Sequence, residues 1–176
     1  MVIEKIEVGE LLCNCYLVTL GNYSLLIDPG DDYSKILEFI GKRKVIGILI
    51  THGHADHIGC VKKLVEDFSY PLYQFDSLHE GHLDIQDFSI EVLFNPGHSK
   101  DSVSYYFEKE GVMFVGDFIF RKTIGRCDLE GGDFGEMLQS LSKMKRYDPN
   151  IILYPGHGDK TTLGWELRNN PYFEYI

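Results

Sequence analysis

The chain has 176 residues, 44% of them hydrophobic and 25% charged, a length and balance that suit one domain with a buried core. Its apolar runs extend for only about six residues, which excludes a transmembrane helix of the ~20 residues a bilayer demands. The net charge of −10, with 27 acidic against 17 basic residues, comes with no Lys/Arg stripe and argues against nucleic acid as a partner.

Residues 1–7 alternate like a strand and have neither the basic start nor the apolar middle of an export signal, so a cytoplasmic location is expected. Residues 3–8, 15–20 and 24–28 read as an antiparallel meander with Gly21-Asn22 as a hairpin turn. Asp31-Asp32 then precede Ile36, Leu37, Phe39 and Ile40, whose spacing predicts one apolar helix face closed by Gly41. The basic run Lys42-Arg43-Lys44 suits the negative end of that helix. Residues 45–50 form an apolar strand. Residues 58–68 carry Val61, Leu64, Val65 and Phe68 at helical spacing and predict a helix. Further strands are predicted at 88–94, 102–107, 112–115 and 151–154. Asp133-x-x-Glu136 resembles a capping box that opens a helix through Met137, Leu138, Leu141 and Met144. Trp165, Tyr172, Phe173 and Tyr175 are expected to pack on the core. This order suggests two similar halves, each a sheet covered by helices on its outer face.

The cysteines Cys13, Cys15, Cys60 and Cys127 form no C-x-x-C pair. Cys13 and Cys15 are read as facing opposite sides of a strand, and most of the four as small buried hydrophobes. Cys127 falls in a loop expected to reach the site but is not read as a catalytic thiol. His79 and His82, in the polar segment 76–84, are read as surface residues.

The chemistry concentrates in Thr51-His52-Gly53-His54-Ala55-Asp56-His57, directly after the strand at 45–50. His52, His54, Asp56 and His57 put four candidate ligands within six residues, and three of the seven histidines fall there, so a polar loop rich in His by chance is a poor account. Imidazole with carboxylate suits Zn, Fe or Mn rather than Ca or Mg. Asn95-Pro96-Gly97-His98 and Tyr154-Pro155-Gly156-His157 repeat one pattern, and Val115-Gly116-Asp117 is a third strand exit through glycine. Singly each is an ordinary turn. Together they bring seven candidate ligands from four strand ends to one site.

The set H-x-H-x-D-H followed by His, Asp and His resembles the metallo-β-lactamase superfamily, over nearly the whole chain. The resemblance implies an α/β fold, a four-layer αββα sandwich of two mixed sheets flanked by helices. It also implies two divalent metal ions, Zn foremost with Fe or Mn as alternatives. His52, His54 and His98 would hold the first, Asp56, His57 and His157 the second, with Asp117 bridging. Leu26-Ile27-Asp28-Pro29-Gly30 resembles the family's early Asp turn, which implies that Asp28 supports the ligands by hydrogen bonding; a plain turn cap is the alternative. Two metals sharing a water would supply hydroxide for attack on a carbonyl, with Asp56 ligating and orienting the nucleophile. No G-x-S-x-G motif competes with this reading.

Within the family, lactamases usually lack an Asp at the place of Asp117 and are typically exported, nucleases need a basic surface, and flavodiiron proteins resemble H-x-E-x-D with a flavin domain. The glyoxalase II branch and its persulfide dioxygenase relatives remain. Residues 117–126 resemble their loop, in which Gly precedes a basic residue that contacts glutathione; Arg126 takes that place. Gly156-His157-Gly158, residues 161–166 and Asn170-Pro171-Tyr172-Phe173 resemble short, single-domain glyoxalase II-like proteins. Asp128 and Asp159 replace two tyrosines of that pattern. With 19 residues after His157, residues 1–176 read as one hydrolase domain without the C-terminal helical domain of full-length glyoxalase II. The expectation is a thioesterase for a small-molecule thioester such as S-lactoylglutathione, with neither nucleic acid nor membrane as partner. The alternative is a mononuclear iron persulfide dioxygenase using His52, His98 and Asp117.

Overall fold

A computed structural model describes residues 1–176. β1 (Val2–Val8), β2 (Cys13–Leu20) and β3 (Tyr23–Ile27) form the expected antiparallel meander. Helix α1 (Tyr33–Ile40) crosses over to β4 (Val45–Leu49), and α2 (Ala55–Ile58) with α3 (Val61–Phe68) crosses to β5 (Leu72–Tyr73). Both crossovers join parallel neighbours, which a tight turn cannot do, and the sheet order is β1-β2-β3-β4-β5. The second half runs through β6 (Gly81–Ile85), β7 (Phe88–Phe94), β8 (Val103–Phe107) and β9 (Val112–Gly116), then the small hairpin β10 (Ile119–Phe120) and β11 (Thr123–Ile124). Helix α4 (Phe134–Met144) crosses to β12 (Ile152–Pro155), followed by β13 (Thr161–Thr162) and α5 (Leu163–Asn169). The six-stranded sheet has the order β13-β12-β9-β8-β7-β6, with β9 and β12 parallel.

Side chains of a strand alternate between faces, so a strand buried on both faces feeds two cores. Tyr16 and Val18 of β2 enter the layer between the sheets, where they meet Phe88, Ile90, Tyr105 and Phe114. Cys15 and Leu17 of the same strand enter a second layer, under Ile36, Ile40, Val61 and Leu64 of the helices. On the far side, Met113, Val115 and Leu153 pack under Met137, Leu141 and Met144 of α4 and under Leu163 and Phe173. Three apolar layers between four layers of structure give the expected αββα sandwich, and each fully buried Leu, Ile or Phe contributes about 1.5–3 kcal/mol.

Several expectations hold in detail. Asp133 Oδ1 accepts the Glu136 backbone N–H at 2.8 Å and caps α4, although the Asp133 N–H goes to the Gly97 carbonyl rather than back to Glu136. Arg43 donates to the Phe39 carbonyl at the end of α1 and forks onto Glu4 at 2.6 and 2.7 Å. His79 and His82 are exposed.

Other expectations are corrected. The helix predicted at 58–68 is broken between α2 and α3, because the Cys60 N–H is drawn to the Pro29 carbonyl while Gly59 packs tightly against Gly30. Phe68 is 45% exposed and stacks on Tyr70 instead of entering the core. Cys13 and Cys15 share one layer, since residues two apart in a strand face the same side. The polar segment 76–84, for which no strand was predicted, contributes most of the edge strand β6 (Gly81–Ile85), where His82 and Asp84 are exposed as expected of surface residues. Of the C-terminal aromatics Phe173 is buried, whereas Tyr175 is 67% exposed. No helix is long and apolar enough to cross a membrane.

Candidate metal centre

The ends of β4, β7, β9 and β12 meet at one edge of the sandwich. Backbone bonds across the sheets hold them there: Val103 N–H to the Thr51 carbonyl at 2.7 Å, Gly156 N–H to Gly116 at 2.9 Å, and Asn14 N–H to Gly156 at 2.7 Å. Tyr105, fully buried, donates to the Ile50 carbonyl at 2.7 Å, and Tyr16 donates to Pro155 at 2.5 Å. Gly116 has φ +52, and a Cβ there would lie 2.4 Å from Thr51 Oγ1. Only glycine meets both conditions.

This scaffold brings all seven predicted ligands together in two groups. His52, His54 and His98 converge, with His54 Nδ1 lying 3.0 Å from His52 Nε2 and 2.9 Å from His98 Nε2. Asp56, His57 and His157 form the second group, with Asp56 Oδ2 at 3.6 Å from His57 Nε2 and 3.2 Å from His157 Nε2. Asp117 stands between the groups: Oδ1 is 3.4 Å from His57 Nε2, while Oδ2 is 3.6 Å from His98 Nε2 and 3.5 Å from His157 Nε2.

The far sides of the rings explain their orientation. His98 Nδ1 donates to the Arg126 carbonyl at 2.7 Å, His157 Nδ1 to the Leu11 carbonyl at 3.0 Å, and His57 Nδ1 to Asp28 Oδ2 at 2.8 Å. Thr51 Oγ1 donates to Asp28 Oδ2 at 2.6 Å, so its oxygen accepts from His52 Nδ1 at 3.1 Å. Acceptors on Nδ1 set the proton there and turn the Nε2 lone pairs of His52, His57, His98 and His157 inward. Asp28 is therefore the hydrogen-bonded support of both His52 and His57. Asp28→Asn is expected to weaken metal binding roughly 10- to 100-fold, measured by competition with a chelator. Unchanged affinity would leave Asp28 a simple turn cap.

The donor set fits metal ions on grounds internal to the structure. Lone pairs of His52 and His98 face His54 Nδ1 within 3.0 Å, an arrangement that repels unless a cation or proton lies between them. His57 Nε2 and Asp117 Oδ1 are buried without a hydrogen-bond partner; they face each other without the alignment of a hydrogen bond. Buried polar atoms of this kind cost about 1–3 kcal/mol each unless something binds them. Close separations of 2.9–3.6 Å between donor atoms bracket the edge of about 3.3 Å in a tetrahedron with bonds of about 2.0–2.1 Å.

Electrostatics divide the rings: two are held neutral, and one holds a proton that a metal ion would have to displace. Burial holds His52 well below the ordinary histidine range, and burial with the neighbouring His98 lowers His54, so both rings are neutral at physiological pH. Burial also opposes a charge on His57, but Asp28 and Asp117 outweigh it and raise that ring well above the usual value. Burial would lift Asp117, yet His57, His52 and His157 hold it down at about 2.

Arg126 lies on the rim with its side chain 62% exposed and forked onto Asp128 at 2.7 and 2.8 Å. Its carbonyl, which carries no sequence signal, is what orients His98. Cys127 is half-buried, donates to the Gly125 carbonyl, and its thiol is pushed up by burial. Cys13 is buried as expected, but its place beside the second group carried no sequence signal: its Sγ is 3.5 Å from His57 Nδ1, and burial pushes its thiol up to about 11, so it packs there as a neutral group. Asn14 and Asp101 were also missed. Asn14 Nδ2 donates to the Pro155 and Gly158 carbonyls, and Asp101 accepts the Gly53 N–H at 2.9 Å.

Comparison with known proteins agrees with this geometry. A family model described as the metallo-beta-lactamase superfamily matches residues 8–87 and 74–157. The hydroxyacylglutathione hydrolase GloC of Haemophilus influenzae is 29% identical over 98% of this chain and 98% of its own. The crystal structure of the B3 metallo-beta-lactamase BLEG-1 superposes with a TM-score of 0.92 at 31% identity, covering 97% of this chain and 99% of that one. That of TTHA1623 in a di-iron-bound form gives 0.88 at 34%, covering 96% and 99%.

Proposed function

This chain belongs to the metallo-beta-lactamase superfamily, and from that premise we propose that it is a binuclear metallohydrolase acting on a thioester, of the glyoxalase II type, with S-lactoylglutathione as a representative substrate. The observation that carries the reading is the pair of ligand groups sharing Asp117, with His57 Nε2 and Asp117 Oδ1 left without partners. A mononuclear site would leave the second group unused. The glutathione thioesterase among the full-length relatives supports a thioester, and the di-iron neighbour supports iron beside zinc as an occupant.

Two divalent ions bound here would lower the pKa of a shared water towards neutrality and polarise the acyl carbonyl. The residues supply the rest. His52, His54 and His98 form one wall and Asp56, His57 and His157 the other, with one oxygen of Asp117 towards His57 and the other towards His98 and His157. Asp56, 24% exposed at its side chain, reaches the mouth and orients the attacking water by accepting its hydrogen bond. Asp28 keeps His57 and His52 in the tautomer that turns Nε2 inward. The thiolate leaves with little help from a proton donor, because a thiol of pKa about 8.5 is a far better leaving group than an alcohol.

Arg126 on the rim is suited to a substrate carboxylate, and its partner Asp128 competes for it. Arg126→Ala is expected to raise KM for an anionic thioester roughly two- to fivefold, the modest scale of an exposed ion pair. Asp128→Asn should lower KM by a similar factor, with metal content unchanged in both. Equal KM values in all three proteins would return Arg126 to the plain surface.

Metal content per chain, measured with S-lactoylglutathione hydrolysis on the same sample, tests the proposal. About two metals with turnover are expected. A chromogenic β-lactam cleaved in preference to the thioester would replace the proposed substrate. About one iron with oxygen uptake on glutathione persulfide would replace the reaction.

A further inference from the structure

A cavity of about 310 Å³ is walled by Arg121, Ile152, Lys160, Thr161, Thr162 and Trp165. In a chain with 27 acidic and 17 basic residues, this wall contains two cations and no carboxylate. The Arg121 guanidinium lies 5.7 Å and the Lys122 ammonium 5.9 Å from the centre of the Trp165 ring, and Lys160 lies 5.7 Å from that of Tyr154. Each of these cations thus faces an aromatic ring. The nearest buried acid, Glu166, is turned inward and occupied: it accepts from Thr161 Oγ1 at 2.6 Å, from the Lys122 N–H at 3.0 Å and from Asn170 at 2.9 Å. Asp159 lines an adjoining groove that shares Lys160.

The cavity shares no residue with the candidate metal ligands, and the chain links the two. Arg121 follows Phe120, whose ring is 6.2 Å from that of His157. Lys160 is three residues beyond His157, a span of about 10 Å at full extension.

We propose that this cavity binds a nucleoside phosphate, with the phosphate between Arg121 and Lys160 and the base against Trp165 and Ile152. A guanidinium and an ammonium freed from carboxylates are the groups that take a phosphate, and the indole supplies a flat apolar face for a base. The shared chemistry, base plus phosphate, belongs both to a free nucleotide and to the nucleotide end of a larger thiol carrier. Because none of these residues is a proposed metal ligand, the site stands or falls apart from the hydrolase reading.

Trp165 is the single tryptophan, so its fluorescence reports on this cavity alone. Titration of the full-length protein with ADP is expected to quench it saturably, with adenosine and inorganic phosphate each much weaker. The Arg121→Ala, Lys160→Ala double variant, altered only at exposed side chains, should bind ADP at least about tenfold more weakly while keeping its metal content. Coenzyme A binding about tenfold more tightly than ADP would assign the site to a carrier, and equal binding to a free nucleotide. No saturable quenching by ADP, equal quenching in the double variant, or inorganic phosphate acting as well as ADP would each overturn the proposal.

Discussion

His98→Ala is expected to lose about one metal equivalent per chain and roughly 10²- to 10⁴-fold in kcat, the scale of the several kcal/mol that a metal ion contributes to an acyl-transfer transition state. His98 is 3% exposed, its Nδ1 is fixed on the Arg126 carbonyl, and its Nε2 faces both His54 and Asp117. Truncation therefore removes a donor from the first group and leaves a carbonyl without its partner, at a further cost of about 1–3 kcal/mol in stability. Elemental analysis separates the two effects. A destabilised but folded protein with full metal content and full turnover would refute the ligand assignment.

The second large effect is expected from adding a single methyl group. In Gly156→Ala the new Cβ would lie 2.2 Å from Asp117 Oδ1 and 2.6 Å from His57 Cε1. His57 cannot yield freely, because it is anchored on Asp28, and the Gly156 backbone is bonded to both Gly116 and Asn14, so the strain falls on the Asp117 carboxylate. Overpacking of this kind costs about 1–3 kcal/mol, so the protein should still fold. Asp117 must move, and both groups share it, so metal affinity should fall for both ions by roughly 10- to 100-fold or more and activity with it. Chelator competition and thermal unfolding of the same samples provide the check. Wild-type affinity together with wild-type turnover would mean that Asp117 does not stand between two ions.

Strands and helices were legible wherever one face is apolar and a glycine or capping residue ends the run. β7 and the Asp133 cap of α4 fall where the spacing placed them. β6 was hidden because an edge strand carries outward-facing polar residues such as His82 and Asp84, which read as loop. The break between α2 and α3 was hidden because its cause, the close approach of Gly59 to Gly30, joins residues far apart in the chain. The candidate ligands were legible because imidazole and carboxylate are distinctive groups set at strand exits. The acceptors that aim them were not, because two of the three hydrogen-bond partners fixing His98, His157 and His57 are the backbone carbonyls of Arg126 and Leu11, and every residue has a carbonyl.

The sequence by itself determined which donors this protein has and that each leaves a strand through a turn, because residue type and local spacing are properties of short segments. Only the tertiary structure decided which nitrogen of each ring faces inward, that Asp117 lies between the two groups, and that Arg126 is already paired with Asp128. The first two depend on how two sheets pack face to face, which is set by contacts between residues as much as about 146 positions apart, as His157 and Leu11 are, whereas the third is a side-chain geometry between near neighbours that residue type alone does not show.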